Sequence, residues 1–514
     1  TSHQRKPGRN EYPDTLLAPK RLMNNPGYDR DESKFKRSPM PLRSLTLALL
    51  AVVCFQSILA AAKSPPNIVF ILIDDLGWMD LACQGNKLVE TPNIDRFAKE
   101  GVRFTDAYAA APVCSPTRAS ILTGLSPARL HITNHIPDQK RFIPKDAKLL
   151  PAPMINHLPL EHVTIAERLR DAGYRTGFIG KWHLCEDGSL RDGGVGDARF
   201  APEKQGFDVN IAGCAYGGPP SFFSPYRIHN LPDGPQGEYM PDRLAAESIN
   251  FMKESQAGKK PFMLFLWNYT VHWPMQAPEN LLKKYETRTG PGLNDTRYGA
   301  MIEAMDTAIG RVLKSIDDLG LRDDTLVVFT SDNGAFGGVG DNRPLRRDKG
   351  WLYEGGIRVP LIIRWPGVTK PGRECSVPVI STDFYATLLE AAGLPLQEEH
   401  PARDQVARPQ DGVSLVPILK GADSLDRKSL FFHYPNYAFH QANPLGGAIR
   451  EGDFKLIENF ADRSLELYNL KEDLSEKRNL ASDKPDVARA MQQRLADWRK
   501  VSGAAMPLPV PKSD

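Results

Sequence analysis

The chain has 514 residues, enough for a large core and two or three domain-sized units. It is 41% hydrophobic and 25% charged, ordinary values for a globular protein, and its net charge is only +3. So small a balance, with no basic run interleaved with aromatics, speaks against nucleic acid as a partner.

Residues 1–39 are polar, rich in Arg, Lys, Pro and Asn, and show no apolar period; they read as disordered or as foreign to the natural protein. Met40 opens a different pattern, "MPLRSLTLALLAVVCFQSILAAAKS". Arg43 gives a positive start, Leu45 to Leu59 an apolar run, and Ala60-Ala61-Ala62 small residues for cleavage. This is the layout of a secretory signal peptide over 40–62, and its apolar run is short for a membrane span of roughly 20 residues. The expectation is a secreted or periplasmic protein with no stable membrane anchor. Of six cysteines, Cys54 leaves with the signal. Cys83, Cys114, Cys185, Cys214 and Cys375 remain, an odd number in an exported chain, and Cys114 is the candidate for a role other than pairing.

The first mature element, "PNIVFILIDD" (66–75), is a continuous apolar run and reads as a strand buried on both faces. "HVTIAERLRDAG" (162–173) reads as a helix, "YRTGFIGKWH" (174–183) as a strand and its exit, and "KPFMLFLWNYTVHWP" (260–274) as another. Met301, Met305, Ile309, Val312, Ile316 and Leu319 recur at helical spacing and predict a helix over 297–319 with one apolar stripe. "TLVVFTSDNG" (325–334) and "VPLIIRWPG" (359–367) are strands, and "DFYATLLEAAG" (383–393) is a helix. Residues 396–425 look like a linker or long loop. Beyond them come short antiparallel strands, with a turn at Glu451-Gly452-Asp453, and a closing helix over 485–501. The fold class is therefore α/β: a large mixed, mostly parallel sheet sandwiched by helices over 65–395, then a smaller α+β domain with an antiparallel sheet over 426–505.

Four polar clusters follow apolar strands: Asp74-Asp75, Lys181 with His183, His272, and Asp332-Asn333. Each alone has a bland explanation. Paired acids cap helices, a lone histidine is usually structural, a lysine is usually solvated, and Asp-Asn-Gly is a good turn. Together they stand where one cleft would be, beyond the carboxyl ends of the strands. Asp74, Asp75, Asp332 and Asn333 are hard oxygen donors that suit Ca²⁺, or less well Mg²⁺, rather than zinc. A divalent cation beside Lys181 and Lys349 makes a positive pocket for a small anionic group, sulfate or phosphate. His183 and His272 can move protons near neutral pH.

"PVCSPTRASILTG" (112–124) carries a Cys-x-Pro-x-Arg core, and "GYRTGFIGKWH" a second motif; with "DDLGWMDLACQG", "SDNG" and "DKGWLYEGGIRVP" they resemble sulfatases in order and spacing. The resemblance runs from about residue 66 to the end. It implies that a formylglycine-generating enzyme, reading Cys114, Pro116 and Arg118, oxidises Cys114 to formylglycine. It further implies that Asp74, Asp75, Asp332, Asn333 and the modified Cys114 hold calcium, and that Lys181 and Lys349 hold sulfate oxygens. His272 would protonate the leaving oxygen, His183 would take a proton in the release step, and Arg118 would stand as a cation beside the hydrated aldehyde. Arg343 and Arg346 are candidates to contact sugar or a second sulfate, against the plainer reading of solvated loop charges. Tyr216 and the 217–234 loop are candidates for the pocket rim. Cys185 departs from the family pattern, and a Cys185–Cys214 pair stays open.

The expected function is hydrolysis of sulfate esters on a carbohydrate outside the cell, with aryl sulfates as surrogates. A phosphate or phosphonate ester hydrolase on the same fold is the alternative, disfavoured by the intact Cys-x-Pro-x-Arg core. A non-catalytic binder of sulfated glycans ranks lower, because it predicts lost ligands and none is lost.

Overall fold

A computed structural model of the chain describes residues 65–137, 140–185, 193–396 and 410–511. The leader, the signal segment with Cys54, and the first half of the 396–425 stretch lie outside the described residues.

The organising element is β1 (Asn67–Ile73), which is buried along nearly all its length. Its side chains alternate between two cores. Val69, Ile71 and Ile73 enter one, and Ile68, Phe70 and Leu72 the other. A strand covered on both faces has no polar face, which is why its sequence is continuously apolar.

In chain order follow α1 (Pro92–Glu100), β2 (Val102–Phe104), α2 (Cys114–Thr123), α3 (Ile165–Asp171), β3 (Arg175–Gly180), β4 (Val209–Ile211), α4 (Met240–Ala257), β5 (Phe262–Trp267), α5 (Thr296–Asp318), β6 (Thr325–Ser331), β7 (Leu361–Arg364), β8 (Arg373–Cys375) and α6 (Asp383–Ala391). Helix α3 begins two residues later than the apolar pattern starts, because Thr164 caps it reciprocally with Glu167. The eight strands lie in the order β8-β2-β7-β6-β1-β5-β3-β4. Strands β6, β1, β5, β3 and β4 are mutually parallel, and β7 runs against both of its neighbours.

This register places the chemistry. Leu72 lies opposite Trp267, Ile73 opposite Ser331, and Gly180 opposite Trp267. The residues just past β1, β3, β5 and β6 therefore emerge together at one edge of the sheet. Gly180 is needed there: its φ is +111°, and a Cβ would lie 2.0 Å from the Trp267 carbonyl oxygen. The close approach lets the Lys181 N–H donate to that oxygen at 2.7 Å.

The C-terminal sheet is an antiparallel meander of β9 (Ser429–Tyr434), β10 (Gly446–Glu451), β11 (Phe454–Asn459) and β12 (Leu465–Asn469). The turn at Glu451-Gly452-Asp453 joins β10 to β11, with Glu451 opposite Phe454. Helix α7 (Pro485–Ser502) covers one face through Ala488, Met491 and Leu495. The other face shares a core with Tyr108, Val113, Trp351, Tyr353 and Ile357. The expected linker differs in its described half: Leu415, Ile418 and Leu419 of a short helical turn sit in the main core. No helix among the described residues is long and apolar enough to cross a membrane.

Candidate active site

Cys114 opens α2, a helix of which every residue from Cys114 to Thr123 is buried. Ser115 ties its first turn to two loops, donating to the His183 carbonyl at 3.0 Å and accepting from the Ile136 N–H at 3.1 Å. Burial raises the Cys114 thiol, Lys181 and Lys349 act against that, and Asp74 and Asp332 add to it. The thiol stands 3.3 Å from Nδ1 of His183. The other nitrogen of that ring, Nε2, meets the Ile136 carbonyl oxygen. A carbonyl only accepts, so Nε2 carries the hydrogen and Nδ1 turns a lone pair toward residue 114. Burial first, then Lys181 and His135, hold this imidazole neutral, well below its ordinary range.

Asp74, Asp75 and Asp332 bring one carboxylate oxygen each within 4.8 Å of the others, all buried. Three cations face them. Arg118, fully buried, donates to Asp332 Oδ2 from Nε at 2.9 Å and Nη2 at 2.6 Å, and to the Lys181 carbonyl from Nη1 at 2.7 Å. Lys181 Nζ lies 2.6 Å from Asp74 Oδ2, and Lys349 Nζ lies 2.6 Å from Asp75 Oδ1. The Asn333 amide donates to Asp75 Oδ1 at 2.7 Å and to the Gly334 carbonyl at 3.0 Å, which turns its own oxygen away from both. Burial pushes Asp75 up, but Lys349, His272 and Lys181 outweigh it and hold the carboxyl below its ordinary range. Asp74 goes the other way: burial raises it well above the usual value despite Lys181 and Arg118.

Three buried oxygens of this cluster, Asp74 Oδ1, Asp75 Oδ2 and Asn333 Oδ1, have no hydrogen-bond partner among the described residues. Unpartnered buried carboxylate oxygens are costly unless something binds them. The donor set is all oxygen, as a hard divalent cation requires. Three cations already face the three carboxylates, so such an ion would tip the site positive, as the single negative charge of a sulfate ester requires.

His272 stands on the opposite side, with Nε2 3.8 Å from Asp75 Oδ2 and Nδ1 donating to the Trp273 carbonyl at 3.0 Å. Burial lowers it to about 3, with Asp75 opposing and Lys349 and Lys181 adding to the fall. The 216–233 loop closes over both histidines. A Cβ on Gly217 would fall 2.8 Å from the His183 ring, and one on Gly218 would fall 2.5 Å from His272 Nδ1. Beside them opens a cleft of about 800 Å³ lined by Tyr216, Pro219, Pro220, Arg227 and His229.

The two candidate arginines are placed differently. Arg346 is committed to the C-terminal sheet: its Nη1 donates to the Tyr468 hydroxyl at 2.8 Å and the Glu476 carbonyl at 2.9 Å, and its guanidinium lies 3.9 Å over the Tyr353 ring. That placement makes it an interface residue rather than a sugar or sulfate contact. Arg343 is exposed and forked onto Asp341, from Nε at 2.8 and 2.9 Å. Cys185 and Cys214 are both free, buried thiols. Sequence reasoning missed Tyr298, which donates to the Asp75 carbonyl at 2.9 Å and to Asp80 Oδ2 at 2.5 Å and so fixes the turn after β1. It also missed His135, whose irregular segment has no period to read, and whose ring feels Lys349, Lys181 and Asp75.

The sulfatase family model matches residues 66–394, and the model for the N-sulphoglucosamine sulphohydrolase C-terminal region matches residues 346–501. The chain belongs to the sulfatase family. It is 34% identical to human arylsulfatase A over 442 residues, covering 80% of this chain and 77% of that one. A sulfatase of Formosa agariphila is 30% identical over 499 residues, covering 85% and 89%. Among solved structures, Ps i-CgsB in complex with k-i-k-neocarrahexaose superposes with a TM-score of 0.70 at 27% identity, over 85% of this chain and 93% of that one. A phosphonate monoester hydrolase of Agrobacterium radiobacter shares the fold at 20% identity and a TM-score of 0.63, over 87% and 100%. This sulfatase is thus a hydrolase of sulfate esters, and the groups just described form its candidate active site.

Proposed function

We propose that this sulfatase removes sulfate from a sulfated carbohydrate outside the cell, using formylglycine at position 114 and a calcium ion. The observation that carries the reading is the trio of unpartnered oxygens on Asp74, Asp75 and Asn333 beside a Cys114 that faces a histidine lone pair. Carbohydrate is favoured by two relatives. N-acetylgalactosamine-6-sulfatase of Canis lupus familiaris is 32% identical over 401 residues, and Ps i-CgsB holds a neocarrahexaose. The signal-peptide layout from Met40 supports export.

Asp74, Asp75, Asp332 and Asn333 would hold the ion, which when bound supplies a fixed double positive charge for the sulfate oxygens. Formylglycine supplies a hydrated aldehyde, with one hydroxyl to attack sulfur and a second to drive sulfate off afterwards. Lys181 and Lys349 sit to grip the sulfate oxygens. His183 Nδ1, already a lone pair, accepts the proton of the second hydroxyl. His272 protonates the leaving oxygen, and the sulfate's own negative charge opposes the burial that keeps this ring neutral. Arg118 holds Asp332 and the Lys181 backbone in place from beneath the cluster.

Because Cys114, Pro116 and Arg118 are all buried, the modifying enzyme has to read its motif before this fold closes. The test is peptide mass spectrometry on residue 114, from protein made with a formylglycine-generating enzyme, followed by sulfate-release assays on sulfated oligosaccharides. Formylglycine together with sulfate release is the expected result. An unmodified thiol in active protein would sink the mechanism, and release from aryl sulfates alone would sink the carbohydrate assignment.

A further inference from the structure

A line of aromatic rings runs along one side of the active site. Trp273 follows the catalytic His272 and is 40% exposed, unusual for so large an apolar side chain. Its ring lies 6.4 Å from Phe336, edge on at 75°. Phe336 comes four residues after Asp332, and it stacks at 4.8 Å and 13° on Phe439 from the loop between β9 and β10. His440 continues the line, stacking at 5.1 Å and 19° on Trp351, two residues past Lys349. The exposed Arg347 lies 4.3 Å over Trp351. The line thus joins the His272 side of the site to the Lys349 side, and its middle ring comes from a loop of the C-terminal region.

We propose that the exposed ring of Trp273, braced edge on by the stacked pair Phe336 and Phe439, is a stacking face for the pyranose ring next to the one that carries the scissile sulfate. This deepens the carbohydrate reading above and rests on it. A sugar ring has an apolar C–H face and a polar rim. An aromatic face binds the first by area and leaves the second to water and polar neighbours. Two arguments favour a sugar here over a purely apolar ligand. The rings are continuous with the groups that grip sulfate, so the occupant is covalently attached to the reacting residue. A cation sits at the far end of the line, where a polymer carrying further sulfates would pass and a neutral apolar body would gain nothing. Trp182 and Trp267 are buried, whereas Trp273 stays at the surface with the Arg297 guanidinium 5.9 Å over its ring.

The experiment compares kcat/KM for a sulfated oligosaccharide that the wild type cleaves with that for a small aryl sulfate, in Trp273→Ala, Phe439→Ala and Trp273→Phe. The expected result is a fall in the oligosaccharide-to-aryl ratio of roughly five- to tenfold for each alanine variant, carried by KM, with Trp273→Phe close to wild type. Equal losses on both substrates, as a packing defect would give, overturn the proposal. So does an unchanged ratio, or a loss confined to the aryl sulfate. If the wild type cleaves no sulfated oligosaccharide, the carbohydrate reading itself fails and the stacking face goes with it. A wild type that cleaves the oligosaccharide while the ratio stays flat removes the stacking face alone.

Discussion

Two buried ionic clusters draw on the segment 346–358, one through Lys349 and one through Glu354, and they are built differently. At the seam with the C-terminal sheet, Lys455 lies 2.9 Å from both Glu354 Oε1 and Glu476 Oε1. Glu354 Oε2 accepts from Tyr108 at 2.7 Å and Arg358 at 3.1 Å, and Glu476 Oε2 accepts the Glu354 N–H at 2.7 Å. Each carboxylate oxygen there lies within 3.1 Å of a donor or of the Lys455 ammonium, Glu476 Oε1 through the ion pair alone. In the active site, among the described residues, Asp74 Oδ1 has only Arg118 at 3.6 Å and Asp75 Oδ2 only His272 at 3.8 Å. A closed cluster holds the fold together; an open one of equal burial holds a place for a ligand.

The largest expected effect breaks the open cluster. Asp74→Asn should cost at least about 10³-fold in kcat/KM, since several kcal/mol of charge stabilisation go with the ion and each 1.4 kcal/mol is tenfold. Because asparagine keeps the volume and an oxygen for Lys181, and Arg118 still holds Asp332 and the Lys181 carbonyl, the same variant should melt within a few degrees of wild type in chelator. A collapse in melting temperature would show that the active-site cluster is structural like the other.

The converse holds at the seam. Lys455→Met leaves Glu354 and Glu476 buried without their shared cation, and breaking such a cluster from one side costs about 3–5 kcal/mol. Urea unfolding should record that loss. Any activity that remains in the folded fraction should keep its wild-type KM.

The seam also titrates. Burial, aided by Glu354 and opposed by Lys455, pushes Glu476 up to about 7 from 4.5. A carboxyl raised on folding binds its proton more tightly in the native state. Its contribution is therefore fully present below pH 4.5 and is lost as pH rises through 7. Unfolding free energy should fall by up to about 3 kcal/mol between pH 5 and 9 in wild type, and Glu476→Gln should flatten the curve. An equally steep curve in the variant would place the titration elsewhere.

The carboxylates of the open cluster and Lys181 were legible in sequence because they directly follow apolar strands, whereas Arg118 sits inside a helix and Lys349 in a loop, where no strand exit marks them. β1, β3, β5 and β6 announce themselves, and parallel register does the rest. The closed cluster was not legible. Glu354, Lys455 and Glu476 are single charges on a loop and in a meander, and only long-range packing brings them together. The strand β9 and the helix α4 were missed for a related reason. Strand β9 is short, and the buried stripe of α4, though it recurs at helical spacing, includes Ser248 and Ser255, which an apolar pattern does not register. Arg346 shows the same limit. Its sequence neighbours are those of Lys349, yet its partners Tyr468 and Glu476 lie more than a hundred residues away.

The smallest effects separate two arginines that look alike in the string "RPLRRDKG". Arg346 makes two hydrogen bonds and a ring contact across the seam, so Arg346→Ala should lose about 1–3 kcal/mol of stability. Arg343 has 65% of its side chain exposed and a single carboxylate partner, so Arg343→Ala should move stability by about 0–1 kcal/mol. Its remaining use is toward solvent, where a long sulfated substrate would pass. If Arg343 touches such a substrate, Arg343→Ala raises KM for the oligosaccharide at low salt, and the difference shrinks as salt screens the contact. An identical KM at every ionic strength would leave Arg343 as a loop charge and confine substrate recognition to the groups inside the cleft.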